Sequence, residues 1–139
     1  MTRPRPLVLL ATVAAIVACG AAGTLMAQSS GLTRTLVTRA DVSVPGREAV
    51  IAKVEVAAGG VSGWHTHPGD EISYVTDGEA ILMIAGQPPR KVGAGQGFVI
   101  PAGTVHNARN EGTVPAHLVG VYVVEKGQPL ASPASAPAP

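Results

Sequence analysis

The sequence predicts an all-β fold, a small barrel or sandwich built as one domain. Short runs of Val, Ile, Leu and Ala recur between residues 48 and 124, and several alternate with polar residues. Closely spaced turns rich in Gly and Pro separate these runs. No segment after Ala27 shows a convincing helical period. Short strands separated in this way are typical of β-sandwiches and barrels, and 139 residues suffice for one such domain.

The composition limits how the core is built and which partners are expected. Hydrophobic residues make up 46% of the chain but aromatic residues only 3%, so aliphatic side chains must fill the core. The net charge is +1, and apart from Arg3 and Arg5 there is no basic run. A nucleic-acid partner is therefore not expected. The single cysteine, Cys19, excludes a disulfide within the chain.

The first 27 residues are typical of a secretory signal peptide. Arg3 and Arg5 form a basic start, and residues 7–18 form an apolar segment that is too short to span a bilayer comfortably. Small residues follow, and cleavage is predicted after Ala27. The mature protein is therefore predicted to be periplasmic or secreted.

Two alternatives would tie the chain to a membrane. Residues 16–19 resemble a bacterial lipobox, in which Cys19 would be lipidated and become the new N-terminus. The apolar stretch also extends to Met26, so the leader could instead remain uncleaved as a helical anchor. A membrane association is expected only in these two cases.

The predicted domain order follows the alternation of the later segments. Residues 28–47 are read as a linker and an edge strand, with the strand at 33–40. Residues 48–126 form the main domain, whose first strand at 48–57 is half-buried and ends at Ala58-Gly59-Gly60. Further strands are predicted at residues 71–76, 80–85, 90–92, 97–100, 105–110 and 116–124. Residues 127–139 are a low-complexity Pro/Ala tail that is expected to be disordered.

Two histidines and a glutamate form the most informative local pattern. His65 and His67 are separated by one residue, so on a strand their side chains would point to the same side. Glu71 follows after Pro68-Gly69-Asp70, which is read as a turn. Two neutral imidazoles and a carboxylate suit Zn, Mn, Fe, Ni or Cu better than Ca or Mg. A further potential donor, His106, comes shortly after a Pro-x-Gly turn.

Together these residues resemble the two motifs of the cupin superfamily. The first stretch reads G-x5-H-x-H-x3-E-x6-G and the second reads G-x5-P-x-G-x2-H-x3-N. The positions that match are Gly59, His65, His67, Glu71 and Gly78 in the first motif, and Gly95, Pro101, Gly103, His106 and Asn110 in the second. The short segment between the motifs is similar to that of small single-domain bacterial cupins of type 2, the quercetin-dioxygenase-like group.

The resemblance implies a small cupin β-barrel, that is, a double-stranded β-helix or jelly roll of two facing sheets. It also implies one divalent transition metal ion held by His65, His67, Glu71 and His106. The ion would be Mn, Fe, Ni, Cu or Zn. These four donors would leave one or two positions open on the ion, as in catalytic sites. No organic cofactor is predicted.

A cupin fold does not specify one reaction. The leading hypothesis is a metal-dependent enzyme, dioxygenase- or isomerase-like, that acts on a small oxygenated organic molecule. The alternative is a non-catalytic cupin of the cell envelope that binds or senses a small molecule or a metal. No separate catalytic acid or base is identified. The first strand, at 33–40, could also pair with a second copy and give a homodimer.

Roles are also predicted for residues around the two motifs. Ser73 shares the parity of Glu71 and should face inward, whereas Trp64 should point away from the metal. Asn110 is expected to hydrogen-bond to the backbone near its turn. His117 and Tyr122 are assigned structural rather than catalytic roles. Asp70 is read as a turn residue rather than as a partner of a ligand imidazole.

Overall fold

The computed structural model describes residues 30–138, and within that range the chain is all-β. This confirms the predicted fold class. The strands are β1 (Ser30–Asp41), β2 (Arg47–Val61), β3 (His65–Thr66), β4 (Gly69–Asp77), β5 (Glu79–Ile84), β6 (Arg90–Gly93), β7 (Gly97–Ile100), β8 (His106–Arg109), β9 (Ala116–Glu125) and β10 (Ser132–Pro133). The predicted signal peptide, with Cys19, lies outside the described residues. In the part that is described, no helix is long and apolar enough to cross a membrane.

The strands pair antiparallel in the order β10-β3-β8-β2-β9-β4-β7, with β1 against β2 and β5 between β6 and β8. The long β2 joins the two halves of the barrel. Its first part, from Arg47 to Val56, pairs with β9, and its last residue, Val61, pairs with Arg109 of β8. Because the same strand serves both groups of strands, it bends across the barrel and holds the two groups face to face.

The core follows the alternation that the sequence shows. Alternate residues of β2, β4 and β9 are buried, and the outward residues between them are half-buried or exposed. Val50, Val56 and Val75 are fully buried, and Ser73 faces inward as predicted. The core is mainly aliphatic, because Phe98 and Tyr122 are the aromatic residues that it contains.

Strands β4 to β9 agree with the predicted ranges to within about two residues at each end. Strand β2 is longer than its predicted range. The sequence predicts that this strand ends at Ala58-Gly59-Gly60, whereas the structure continues it to Val61. Gly59 donates its N–H to the carbonyl oxygen of Asn110, and Asn110 donates its own N–H to Gly60, each over 2.9 Å. The glycines therefore bend the strand without ending it, since a distant segment satisfies their backbone groups.

The C-terminal tail also differs from its prediction. Residues 127–139 are expected to be disordered, yet Ser132 and Pro133 of β10 pair with Thr66 and His65 of β3. Ala134 donates its N–H to the carbonyl oxygen of Trp64 over 2.9 Å, and Leu130 packs against the core. Pro is tolerated there because β10 is an edge strand. The composition of the tail does not reveal that β3 offers it an edge.

Gly78 is a position where the backbone requires glycine for two reasons. Its φ of +71° lies in the left-handed region, and an added Cβ would clash with the carbonyl oxygen of Pro115. Gly46 has a similar φ of +75°, but a Cβ there would meet nothing within 4 Å. A substitution at Gly46 therefore introduces backbone strain alone, whereas one at Gly78 introduces both strain and a steric clash.

We expect Gly78→Ala to lower the free energy of unfolding by about 2–5 kcal/mol, because left-handed strain and overpacking add. Gly46→Ala, the control, should cost about 1–2 kcal/mol from strain alone. Urea denaturation monitored by circular dichroism measures both values. Equal losses in the two variants would contradict the predicted clash.

Candidate metal centre

The structure brings the four predicted donors together inside the barrel. His65 lies in β3 and is the Cα partner of His106, the first residue of β8. Glu71 lies in β4, which pairs with β7 and β9. His67 follows β3 directly. All four side chains are buried, and one ligand atom from each lies within 4.8 Å of the others.

Each imidazole is oriented by a backbone carbonyl. The Nδ1 atoms of His65 and His106 lie 2.8 Å from the carbonyl oxygens of Gly63 and Thr104. The Nδ1 of His67 lies 2.6 Å from the carbonyl oxygen of Leu130. Because a carbonyl only accepts hydrogen bonds, each Nδ1 must carry the hydrogen, and in the neutral ring Nε2 is then the lone-pair nitrogen. All three rings are thus held in the tautomer that can bind a metal through Nε2.

Glu71 supplies a negatively charged oxygen to the same point. Its Oε2 lies 2.9 Å from Nε2 of His67 and 3.2 Å from Nε2 of His106. Ser73 donates its hydroxyl to Oε1 over 2.7 Å, which fixes the orientation of the carboxylate. Burial raises the pKa of Glu71, but the close contacts of its carboxylate with His106 and His67 and the hydrogen bond from Ser73 outweigh this and hold the pKa well below its usual range.

The donor set fits a metal ion on physical grounds. A carboxylate oxygen faces two imidazole nitrogens whose lone pairs point towards it, so the contact is favourable only with a cation between them, either a proton or a metal ion. Nε2 of His67 is buried, and its 2.9 Å contact with Oε2 of Glu71 is not a hydrogen bond, so the described residues leave this nitrogen without a hydrogen-bond partner. A proton can satisfy only one such contact at a time, whereas a transition ion can accept all of these donors together.

His65 is held neutral at ordinary pH. Burial lowers its pKa to about 4, helped by His106, His67 and Arg34 and opposed by the hydrogen bond to Gly63. Nη2 of Arg34 lies 3.3 Å from Nε2 of His65 and is placed to donate to it. The lone pair of His65 is therefore directed into the site, where Arg34 now lies against it.

The donors open onto a small cavity of about 30 Å³. Strand β1 covers one side through Leu32 and Arg34, and Phe98 and Leu118 contribute apolar surface. Tyr122 also lines the cavity, and burial together with the negative charge of Glu71 raises its pKa to about 12. Phenol and guanidinium groups thus border the proposed ion on an otherwise apolar wall.

Arg34 and Tyr122 are the site residues that the sequence reading missed. Tyr122 was assigned a structural role, and it is indeed buried, but it also borders the donors. Its ring lies 4.8 Å from that of His67. The sequence gives only a weak indication for Arg34, which alternates with Thr33 and Thr35 and so shares one side of a strand with Leu32. In the structure Leu32 and Arg34 are half-buried, and the two threonines are exposed. The motifs do not extend to β1, so only the pairing of Arg34 with Val54 places it over the cavity.

Several predictions about neighbouring residues are confirmed. Asn110 donates to the carbonyl oxygens of Val56 and Val114 and accepts from the N–H of Gly112. Asp70 does not contact a ligand imidazole, as expected, but the predicted turn is wrong: Asp70 lies in β4, paired with Val123, and its side chain accepts from the N–H of Ala102 over 3.0 Å. His117 lies on the outer face near Glu55 and Asp77, away from the donors.

Comparison with known proteins agrees with this fold and site. The Cupin domain family matches residues 52–125. Nectarin-1 from Nicotiana langsdorffii x Nicotiana sanderae is 34% identical over 101 residues, which cover 63% of this chain and 42% of Nectarin-1. Acireductone dioxygenase from Rhodopseudomonas palustris is 45% identical over 49 residues, which cover 33% of this chain and 30% of that enzyme.

Solved structures show the same barrel. A protein with a double-stranded β-helix domain from Klebsiella pneumoniae superposes with a TM-score of 0.62 at 21% identity, covering 79% of this chain and 87% of that one. Recombinant oxalate oxidase in complex with glycolate gives a TM-score of 0.55 at 31% identity, covering 66% of this chain and 50% of the oxidase.

The chain belongs to the cupin family, since the family match covers more than half of it. Its fold is the cupin double-stranded β-helix, as predicted. The sequence alignments span less than half the length of Nectarin-1 and of acireductone dioxygenase. The family and the barrel are therefore shown, whereas the reaction is a separate question.

The carbonyl of Leu130 makes the C-terminal tail part of the site. Truncation after Gly127 removes the acceptor of the Nδ1 hydrogen of His67, so that ring is no longer oriented. We expect metal affinity to fall about 10- to 100-fold, measured by competition with a chelator. Truncation after Ala134 is the matched control, because it keeps Leu130 and β10, and it should bind metal like the full chain. Equal affinity in both truncations would contradict this role.

The lowered pKa of His65 predicts acid sensitivity of the metal-free protein. Between pH 6.5 and about 4 the unfolded chain binds a proton at His65 that the folded chain does not, so stability falls as pH falls. The loss reaches on the order of 3 kcal/mol by pH 4. The lowered pKa of Glu71 adds a further loss below about pH 4.5, because its stabilisation is present only while the carboxylate is ionised.

Urea denaturation in the presence of a chelator, repeated across this pH range, tests the prediction. His65→Gln should flatten the dependence above pH 4.5, and His117→Gln, altered on the outer surface, should leave it unchanged. An unaltered slope in His65→Gln would show that another group is responsible.

Proposed function

We propose that this cupin is a metal-dependent enzyme, dioxygenase- or isomerase-like, that acts on a small oxygenated organic molecule. One divalent transition ion would be held by His65, His67, Glu71 and His106. The observation that carries the proposal is the convergence of three lone-pair Nε2 atoms and one carboxylate in a buried cavity. Export to the periplasm or the exterior, predicted from the leader, is part of the same proposal.

The site would keep open positions on an ion that takes five or six ligands. Structural zinc sites are closed by four protein ligands in a tetrahedron, whereas catalytic sites keep a position for water or substrate. Four donors on an ion that prefers five or six ligands leave such positions. An ion bound here would supply Lewis-acid or redox chemistry towards a coordinated oxygen.

The residues of the chain prepare the site for that chemistry. Carbonyl acceptors fix the three imidazoles, and Ser73 fixes the carboxylate of Glu71. Apolar side chains on the cavity wall exclude water and strengthen electrostatic interactions inside. Because the pKa of Tyr122 is about 12, its phenol keeps its hydrogen at neutral pH and acts as a donor rather than as a base.

The names of the relatives support a small oxygenated substrate. Acireductone dioxygenase and oxalate oxidase are both named for compact, oxygen-rich organic molecules. The cavity of about 30 Å³ also favours a compact substrate over a flavonoid-sized one. Because the alignments cover only part of each relative, the type of reaction rests on the site and not on those names.

A specific observation also favours a second candidate, a cupin that binds a small molecule or a metal without turnover. Among the described cavity residues, Arg34 and Tyr122 are the titratable groups beyond the four donors. Neither is a base at neutral pH. An enzyme would then have to use Glu71 or the substrate itself for proton transfer, whereas a binding protein would need no such group.

Elemental analysis of the mature protein tests the metal centre. We expect about one transition ion per chain and loss of that ion in the His65→Ala, His106→Ala double variant. His117→Ala is the control, because it alters a histidine outside the site. The analysis also identifies the ion among Mn, Fe, Ni, Cu and Zn. A folded wild-type protein that takes up none of these ions would refute the proposed enzyme.

Turnover then separates the two candidates. An enzyme loaded with its ion should consume O₂ or isomerise a compound from a panel of diketones, polyphenols and hydroxy acids, and the double variant should not. A binding protein should show only a higher melting temperature with the same compounds. Stabilisation without product formation across the panel would favour the binding role.

A further inference from the structure

We propose that Arg34 makes the cavity selective for small carboxylates, acting as the anion-binding residue beside the metal centre. The inference rests on the proposed function, because it concerns the ligand of the same site. Arg34 lies outside both sequence motifs and comes from β1, the strand that covers the cavity.

The position of Arg34 is set by strand pairing. It is the Cα partner of Val54, and like Leu32 it lies on the side of β1 that faces the barrel, between exposed residues. Its Nη2 lies 3.3 Å from Nε2 of His65. Its Nε is buried, and the described part of the chain offers no hydrogen-bond partner for it. A buried guanidinium N–H without an acceptor is costly, so this group is placed for a ligand.

Metal binding would free a second N–H group of Arg34, that of Nη2, to bind a ligand. An ion at His65 takes the Nε2 lone pair that Nη2 of Arg34 now contacts. Nη2 then lacks its acceptor as well as Nε. These two N–H groups lie side by side on one edge of the guanidinium and match the two oxygens of a carboxylate. The cavity thus gains a two-point carboxylate site when the ion binds.

Charge selects for an anion. Within the cavity lining the positive charge of Arg34 is matched by the negative charge of Glu71, and imidazoles that bind a metal ion do so in their neutral form. A divalent ion adds positive charge inside a mostly apolar wall. Buried charge without a counterion is strongly unfavourable, so a negatively charged ligand is favoured over a neutral one.

The small volume of the cavity limits which carboxylates can bind. A cavity of about 30 Å³ has space for roughly one or two water molecules before side chains adjust. A carboxylate with two or three carbons fits with modest movement of Arg34, one carboxylate on the guanidinium and another oxygen directed towards the ion. Larger ligands would have to displace β1.

The test is binding rather than turnover. The protein is loaded with Co(II), whose visible spectrum reports ligand exchange, and is titrated by calorimetry with acetate, glycolate and oxalate. Acetamide and glycolamide serve as neutral analogues of the same shape. We expect the carboxylates to bind at least about tenfold more tightly than the amides and to alter the Co(II) spectrum.

Substitutions of Arg34 test whether this residue causes the preference for carboxylates. Arg34→Gln should lose about 10- to 100-fold in carboxylate affinity while keeping its metal content and its weak amide binding. Arg34→Lys keeps the charge without the paired donors, so it should recover only part of the affinity, and it replaces the Gln variant if that one does not fold. Arg39→Gln is the matched control, because Arg39 lies on the same strand, is about half exposed and pairs with Glu48.

The outcomes separate this inference from the proposed function. A metal-loaded wild type without carboxylate preference, or an Arg34→Gln variant that keeps the preference, overturns the inference and leaves the metal centre standing. Loss of metal from Arg34→Gln overturns it too, because Arg34 would then support the ion. A wild type that binds no metal overturns both proposals.

Discussion

The pairing of β2 with both β9 and β8 is the constraint on which the rest of the structure depends. One strand supplies an edge to each group of strands, so the two groups must face each other and enclose their inward side chains. That enclosure is mainly aliphatic, and the four candidate donors are clustered within it. The barrel therefore forms a low-dielectric space in which a small number of charges act strongly.

The four candidate donors repel one another unless a cation lies between them. Carbonyl groups direct every imidazole lone pair inward, and Ser73 directs Glu71 towards them. Such an arrangement is unfavourable as a purely structural feature, because it concentrates electron-rich atoms away from water. Its presence is understandable if binding energy from an ion offsets the cost of assembling it.

Segments outside the two sequence motifs complete the site. Strand β1 brings Arg34 over the donors, and the C-terminal tail brings the carbonyl of Leu130 to His67. Both are edge segments, which join the barrel through few neighbours. In a fold that supports many reactions, such segments are where one member can acquire its own ligand preference without disturbing the barrel.

The sequence by itself determined most of the strands and, through the two motifs, the four candidate donors. Alternation and turn residues are local, and His65, His67 and Glu71 lie close enough in the chain for their spacing to carry the signal. Tertiary structure alone decided which other groups reach them. Arg34 is 31 residues from His65, and Leu130 is 63 residues from His67. Such contacts depend on the register of paired strands, and so does the ordering of a tail whose composition predicts disorder. Register is a property of two distant segments together, so neither segment reveals it alone.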